Sequence, residues 1–271
     1  DIISRVELLT KAGNTPKIAT FRIGDDDGEK YYEGAIIKRA GKYGIDCESV
    51  VLDEAVSQSD AEKELVRLNN DDNIDGIIML MPFPKGIDGE RLRALLDPAK
   101  DIDAITDASY ANLFANDPNA FYACTAESCM EILKFYEVDL KGKQVTIVGR
   151  SMRVGKPLML MMMNANATVT VCHTKTTDEN LREACERADV VVLATGQIES
   201  YSPELFQDGQ IIIDVGTGTS KDGKLAGDFD SGALEAEGMP KSLSYSPVPG
   251  GVGTVTTALL LRNVVKAAER A

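Results

Sequence analysis

Positive charge is scarce in this chain. Lysine and arginine total 29 against 43 aspartates and glutamates, giving a formal charge of -14 and a pI near 4.6. Neutralising a phosphate backbone needs a basic surface, so the balance argues against nucleic acid as a partner, and any anionic ligand must be held by local groups. There is one histidine, His173, which excludes a zinc site built on histidines. No apolar run approaches the ~20 residues of a membrane span, and no basic stretch precedes an apolar one at the start. The expectation is a cytoplasmic protein without a membrane partner. The five cysteines (Cys47, Cys124, Cys129, Cys172, Cys185) form no CxxC pair, and three lie inside apolar runs. Reduced structural thiols are the expectation, rather than disulfides or a metal site.

Of the 271 residues, 44% are hydrophobic and 27% charged, the balance of a soluble globular protein with one large or two ordinary domains. Apolar runs rich in β-branched residues recur at 17–23 (KIATFRI), 47–53, 74–81, 144–149 (QVTIVG), 167–172, 189–194 and 210–216. Their hydrophobicity is continuous, which marks strands covered on both faces, and amphipathic segments between them supply the covering helices. The predicted class is α/β with mainly parallel sheets. Residues 82–124 contain no convincing strand and several turn signals, and read as a connector and cleft wall. A domain boundary falls near Cys124, followed by a linking helix over 126–138. A long amphipathic helix over 254–271 ends the chain and suits packing on either half.

Residues 31–45 (YYEGAIIKRAGKYGI) predict an amphipathic helix with Tyr32, Ile36, Ala40 and Tyr43 on one stripe. Gly34 lies inside it, where glycine costs ~1 kcal/mol relative to alanine. Either it is a passive blemish or a backbone approaches closely there.

QVTIVGRSMRVGKPLMLMMM has the order strand, glycine turn, helix, with Gly149 closing the strand and Gly155 and Pro157 opening the helix. Such glycines let backbone approach a pyrophosphate at a helix N-terminus. The spacing is G-x5-G rather than G-x-G-x-x-G, so the motif alone serves a nucleotide site or a plain tight turn equally well. The strands that follow in βαβ rhythm favour the nucleotide. An NAD site commonly places an acidic residue after the second strand of this unit. Here stand His173, Thr174 and Lys175, with Arg150 and Arg153 on the glycine turn. These groups suit a 2′-phosphate, so NADP is favoured over NAD. His173 reads as a strand-end residue held by a backbone hydrogen bond rather than as a catalyst.

Several long motifs agree with one family. IVGRSMRVGKP, ATVTVCHTKT, IIIDVG and above all PVPGGVGTVT (247–256) resemble the bifunctional methylenetetrahydrofolate dehydrogenase/methenyltetrahydrofolate cyclohydrolase family. RIGDDDGEKYY, DGIIMLMPFP, PAKDID and ACTAESCMEIL in the first half agree with it too, in order, from about Lys17 to the C-terminus. The resemblance implies an N-terminal α/β folate-binding catalytic domain (1–124 with 254–271), a Rossmann-type dinucleotide-binding domain (125–253) and a cleft between them. It also implies a homodimer through the Rossmann half. Fewer residues precede the first strand than the family usually has, which implies a trimmed or disordered start.

As the resemblance implies, Tyr32 stacks on the folate, Asp103 hydrogen-bonds the pterin, and Pro249, Gly250 and Gly251 bring backbone close to the substrate. On the cofactor side it implies Thr125, Gly149, Arg150, Ser151, Arg153, Gly155, Thr174, Gly196, Gly216 and Thr256, with Thr125 and Thr256 fixing the nicotinamide. A packed core tyrosine and a turn or N-cap aspartate are the plain structural alternatives for Tyr32 and Asp103. The chain departs from the family where it matters chemically. Ile36 occupies the position of the catalytic lysine and Leu80 that of the glutamine holding it; Lys38, about 200° round the helix from Ile36, cannot replace the lost ammonium. Glu29 stands at a family serine, Ala104 at a glycine, Ala126 at a proline, and Thr254-Val255 at Pro-Met. Losing both members of a polar network avoids a lone buried partner. Hydride transfer needs mainly orientation, whereas hydrolysis needs a proton handler. The expectation is an NADP-dependent methylenetetrahydrofolate dehydrogenase of one-carbon metabolism with weak or absent cyclohydrolase activity; a silent folate- or nucleotide-binding paralogue with a regulatory or partner role stays open beside it.

Overall fold

A computed structural model of the chain describes residues 1–236, 238–240 and 242–270. The fold divides into two compact units, Asp1–Cys124 with Thr257–Ala271, and Thr125–Thr256.

The first unit begins with α1 (Ile2–Lys11), a helix over a segment in which the sequence reading placed no element. It continues through β1 (Lys17–Ile23), α2 (Asp27–Tyr43), β2 (Asp46–Leu52), α3 (Gln58–Asn69), β3 (Gly76–Met79), α4 (Gly89–Leu95) and α5 (Asp107–Phe114). The three strands pair in parallel in the order β2-β1-β3, so β1 is central and its chain neighbours flank it on both sides. Side chains alternate along β1. Ala19, Phe21 and Ile23, with Ile77 and Met79 of β3, form one core with Ala61, Leu65 and Leu68 of α3 and Leu92 of α4. Thr20 and Arg22 point to the opposite face, which α2 covers.

Segment 82–124, read from the sequence as a connector with several turn signals, holds two helices, α4 and α5. Each is capped, by Asp88 and by Thr106, but at seven and eight residues they run too short for helical periodicity to stand out. As expected, no strand forms there; a single bridge pairs Ile77 with Asp101.

The second unit comprises most of α6 (Cys124–Phe135), then β4 (Gln144–Val148), α7 (Gly155–Asn164), β5 (Thr168–Cys172), α8 (Asp178–Glu186), β6 (Val190–Leu193), β7 (Ile211–Asp214), the small hairpin β8 (Gly218–Thr219) and β9 (Leu225–Ala226), and β10 (Ser244–Tyr245). Its five-stranded parallel sheet has the order β10-β7-β6-β4-β5. The order reverses at β4, and in open parallel sheets ligands bind at the carboxyl ends of the strands beside such a switch. The two-residue strands carry no readable period and were not anticipated.

The final helix α9 (Val252–Ala268) starts in the second unit and ends in the first. Its later turns belong to the first unit's interior. Leu260, Leu261, Val264 and Val265 are fully buried, the Asn263 amide donates to the Ile102 carbonyl at 2.9 Å, and Asn14 donates to the Ala268 carbonyl at 3.2 Å. Arg5 of α1 forks onto Glu269 at 2.8 and 2.7 Å.

Candidate active site

Helix α2 opens with Asp26 as N-cap, its carboxylate accepting from the N–H groups of Gly28 and Glu29, and closes at Gly44 in the left-handed region with φ 76°. Its buried stripe corrects the sequence reading. Glu29, Glu33, Ile36 and Ala40 face inward, whereas Tyr32 and Tyr43 are half-buried and Lys38 is exposed. The reason lies on the sheet. Glu33 accepts from the Thr20 hydroxyl at 2.6 Å, from the Ser49 hydroxyl at 2.7 Å and from Arg22 Nε at 3.0 Å. Arg22 also donates through Nη1 to the Gly24 carbonyl. Burial pushes the Glu33 carboxyl up, but the two hydroxyls and the guanidinium together hold it below the usual carboxylate range.

Register shows what lies beside this network. Thr20 pairs with Ile78 and Phe21 with Met79, and the ladder continues as the Leu80 N–H donates to the Phe21 carbonyl at 2.9 Å. Leu80 therefore lies beside Arg22 on the α2 face, buried, as Ile36 is buried on the helix. Ile36 and Leu80 are both aliphatic and buried, yet the face is not apolar. Arg22 on β1 puts a cation there, tied to the Glu33 carboxylate.

Gly34 is exposed, and a Cβ there would meet nothing within 4 Å. No backbone of its own unit approaches it.

Asp103 is half-buried on the turn after the Ile77–Asp101 bridge. The holding of that turn falls to Asp101, which sequence reasoning missed. Asp101 is wholly buried, and its carboxylate accepts from Ile105 N–H at 3.0 Å, Thr106 N–H at 2.8 Å and the Ser109 hydroxyl at 2.7 Å. Thr106 is the N-cap of α5. Ala104 takes φ 52°, in the left-handed region that favours glycine.

In the second unit the turn leaves no room for a side chain at either of its glycines. A Cβ on Gly149 (φ 134°) would lie 2.3 Å from the Ala194 carbonyl oxygen, and one on Gly155 would lie 2.1 Å from the Gly149 carbonyl oxygen. The loops after β4 and β6 are thus pressed together at the switch point. Ser151 Oγ accepts from the Val154 N–H at 3.1 Å inside this turn. Arg150 and Arg153 are exposed on it, as are Thr174 and Lys175 after β5. His173 shapes that second turn, accepting from the Lys175 N–H through Nδ1 at 3.1 Å while its own N–H donates to Thr176 Oγ1.

Two buried carboxylates organise the neighbouring loops, and the sequence reading named neither. Asp228 Oδ2 accepts from Thr195 N–H at 2.7 Å, the Thr195 hydroxyl at 2.9 Å and Gly196 N–H at 3.1 Å. Asp214, ending β7, accepts from the N–H groups of Gly216, Asp228 and Phe229. Burial pushes the Asp214 carboxyl up and Asp228 adds to this, outweighing the backbone donors. Their packing explains Gly216, where a Cβ would lie 2.2 Å from Asp228 Oδ1. Gly-Asp-Phe-Asp at 227–230 was the available signal.

The PVPGGVG segment runs through a cis Val248–Pro249 bond; Gly250 has φ 109°, and a Cβ on Gly251 would lie 2.5 Å from the Pro247 carbonyl oxygen. Thr256 is buried, its hydroxyl donating to the Val252 carbonyl at 3.0 Å and lying 3.1 Å from Ser128 Oγ. Thr125 is half-buried on α6. Burial pushes the thiol of Cys47 up to about 11 and those of Cys129 and Cys185 up to about 12, which makes them poor nucleophiles. Among the described residues no helix is long and apolar enough to cross a membrane.

Known proteins share this arrangement. The family model for the catalytic domain of tetrahydrofolate dehydrogenase/cyclohydrolase matches residues 1–103, and that for its NAD(P)-binding domain matches 123–271. Bifunctional protein FolD of Clostridium perfringens (strain SM101) is 41% identical over 265 residues, covering 98% of this chain and 93% of its own. The crystal structure of the bifunctional enzyme FolD from Campylobacter jejuni superposes with a TM-score of 0.94 at 32% identity, covering 99% of this chain and 93% of the other. The Trypanosoma brucei methylenetetrahydrofolate dehydrogenase-cyclohydrolase, solved with NADP cofactor and inhibitor, gives 0.91 at 30% identity, covering 99% and 92%. Family models span both halves and the relatives match nearly end to end, so the chain belongs to the tetrahydrofolate dehydrogenase/cyclohydrolase family.

Proposed function

We propose that this chain oxidises methylenetetrahydrofolate to methenyltetrahydrofolate with NADP and hydrolyses the product slowly if at all. The observation that carries the second half is the burial of Ile36 and Leu80 at the lysine and glutamine positions. Hydride transfer asks the protein to orient two rings, and no proton moves at the reacting carbon. Hydrolysis requires a group that takes and returns protons. Isoleucine cannot. Arg22, the cation on that face, has its Nε on Glu33 and Nη1 on the Gly24 carbonyl, so these donors are engaged and it is no substitute.

The turn at Gly149–Gly155 fits a dinucleotide, since its two glycines leave no room for a side chain and it opens α7, whose first N–H groups favour a phosphate. Bound there, NADP supplies the hydride acceptor. Gly149, Ser151 and Gly155 hold its pyrophosphate, and Arg150, Arg153, Thr174 and Lys175 recognise the 2′-phosphate. Gly196 and Gly216 keep the loops after β6 and β7 close to the cofactor, with Asp228 as their brace. Thr125 and Thr256 flank the nicotinamide. Tyr32 stacks on the folate, Asp103 hydrogen-bonds the pterin, and Pro249, Gly250 and Gly251 give close backbone contact to the substrate. The same proposal takes the chain as a cytoplasmic homodimer with 254–271 completing the folate-binding domain.

Nicotinamide reduction followed with methylenetetrahydrofolate under NADP and NAD, beside the decay of methenyltetrahydrofolate absorbance, tests both halves. Reduction with NADP ahead of NAD and decay close to that of buffer are expected. Reduction with neither cofactor, with binding retained, would make the chain a ligand-binding paralogue. Fast decay would assign hydrolysis to another group.

A further inference from the structure

Carboxylates crowd the start of α2, and their partners can be traced one by one. Asp25 pairs with Lys30 at 2.6 Å, Asp26 caps the helix, and Glu33 has its three donors. Glu29 is different. The residue is 6% exposed, and its Oε2 is buried without a hydrogen-bond partner. Buried polar atoms are almost always satisfied, and a buried carboxylate oxygen left bare is costly. The natural cation for it is already engaged, since Arg22 donates to Glu33 and to the Gly24 carbonyl.

Its position gives the orphan a meaning. Glu29 lies on the inward stripe of α2, four residues before Glu33, seven before Ile36 and three before Tyr32. The helix follows β1 directly, so its first turns stand by the carboxyl end of the central strand. In the order β2-β1-β3 that strand is where the connections diverge, the place where open parallel sheets bind ligands. The family's residue at this position is serine, which is neutral.

We propose that Glu29 is a substrate-facing residue of the folate site, its carboxylate opposing the cationic ring of methenyltetrahydrofolate; this rests on the function proposed above. In the oxidation the carbon–hydrogen bond of the bridging methylene breaks, its electron pair leaves as hydride to the nicotinamide, and the folate ring is left with one positive charge shared over nitrogen, carbon and nitrogen. No proton is exchanged. A fixed negative charge beside that ring stabilises the transition state as the cation develops, without itself reacting.

The groups around Glu29 set the expected pH dependence. Burial holds its carboxyl above the usual carboxylate range, Asp26 and Glu33 add to that, and Arg22 on β1 opposes; Asp25 and Lys30 neutralise one another nearby. A bound cation acts in the opposite direction. Affinity for the cation therefore rises with pH as Glu29 ionises, and falls where it is protonated.

Calorimetric titration of the whole chain with methenyltetrahydrofolate, and with tetrahydrofolate as the ligand lacking the ring cation, tests this at several pH values. Glu29→Gln should lose about tenfold in affinity for the methenyl form, keep tetrahydrofolate affinity within about twofold, and show no rise of methenyl affinity with pH. Its thermal midpoint should match or exceed that of the parent, because a bare charge has been removed. Glu29→Ser, the family's residue, should behave alike in binding. Equal losses for both ligands with a lowered midpoint would make Glu29 a structural counter-ion of Arg22 and overturn the proposal, as would unchanged methenyl affinity in both variants. If the parent reduces NADP and the variants bind like it, only the role of Glu29 fails; if the parent binds neither folate, the proposed function fails with it.

Discussion

Arg22 and Glu33 form a buried pair whose removal should be strongly non-additive. Arg22→Leu takes the Nε donor from Glu33 Oε2 but leaves Thr20 and Ser49 on Oε1. Two of three donors remain, which places the cost at the lower end for breaking a buried pair, about 3 kcal/mol. Glu33→Val does more damage. It leaves a buried guanidinium with the Gly24 carbonyl and a distant Asp25 at 3.7 Å, and strips Thr20 and Ser49 of their acceptor; about 4 to 5 kcal/mol is expected. The double variant removes both charges and leaves two hydroxyls and the Gly24 carbonyl without these partners, costing about 2 kcal/mol. The coupling is then on the order of 5 kcal/mol, far above the additivity error of independent sites. Because the chain has two units, hydrogen exchange at the β1 amides should accompany urea unfolding, so that the transition measured belongs to the first unit. The pair also sets an acid limit. With the Glu33 carboxyl held low, its contribution is fully present above the unfolded value of about 4.3 and lost as pH falls through the lower folded value. Additive single variants would refute the claim that the residues act as one unit.

Three further outcomes follow from the geometry. Gly34→Ala should stabilise by about 0.5 to 1 kcal/mol in a thermal melt, since the site is an exposed helix interior with open space around it. Gly155→Ala should abolish nucleotide binding in a calorimetric titration, because the added carbon would overlap the Gly149 carbonyl oxygen. Ile36→Lys alone should lower stability without creating hydrolysis, as its ammonium would enter a wholly buried position three residues from a Glu33 already engaged; combined with Leu80→Gln it should accelerate methenyltetrahydrofolate decay by more than the two single changes together.

The seven main strands and the long helices were legible because continuous apolar runs rich in β-branched residues, and extended amphipathic stripes, stand out within a local window. The strand edges moved by two residues at most, as in 74–81, where β3 spans Gly76–Met79. Helices α4 and α5 escaped for want of length. The stripe of α2 misled for a different reason: glutamate reads as a solvent-facing residue, and nothing in a local window reveals that Glu33 meets an arginine from β1. Arg22 was the clue, a charge set among the apolar residues of KIATFRI, and it gained meaning only once the register put Thr20, Arg22 and Ser49 on the face under the helix. In the same way the glycines at 149, 155 and 216 were visible as motif letters, but the atoms that forbid a side chain there, the Ala194 and Gly149 carbonyls and Asp228, come from elsewhere in the chain.

Helix α9 gives the chain an order of assembly. The first unit is written in two pieces, with the whole second unit between them, and the Leu260, Leu261, Val264 and Val265 side chains that seal it come from the later piece. On the ribosome, where segments emerge from the N-terminus onward, the second unit has nearly all its residues while the first still lacks its closing helix. The first unit then waits for the last of its buried side chains until that helix emerges, so its folding is completed only after the second unit has been made.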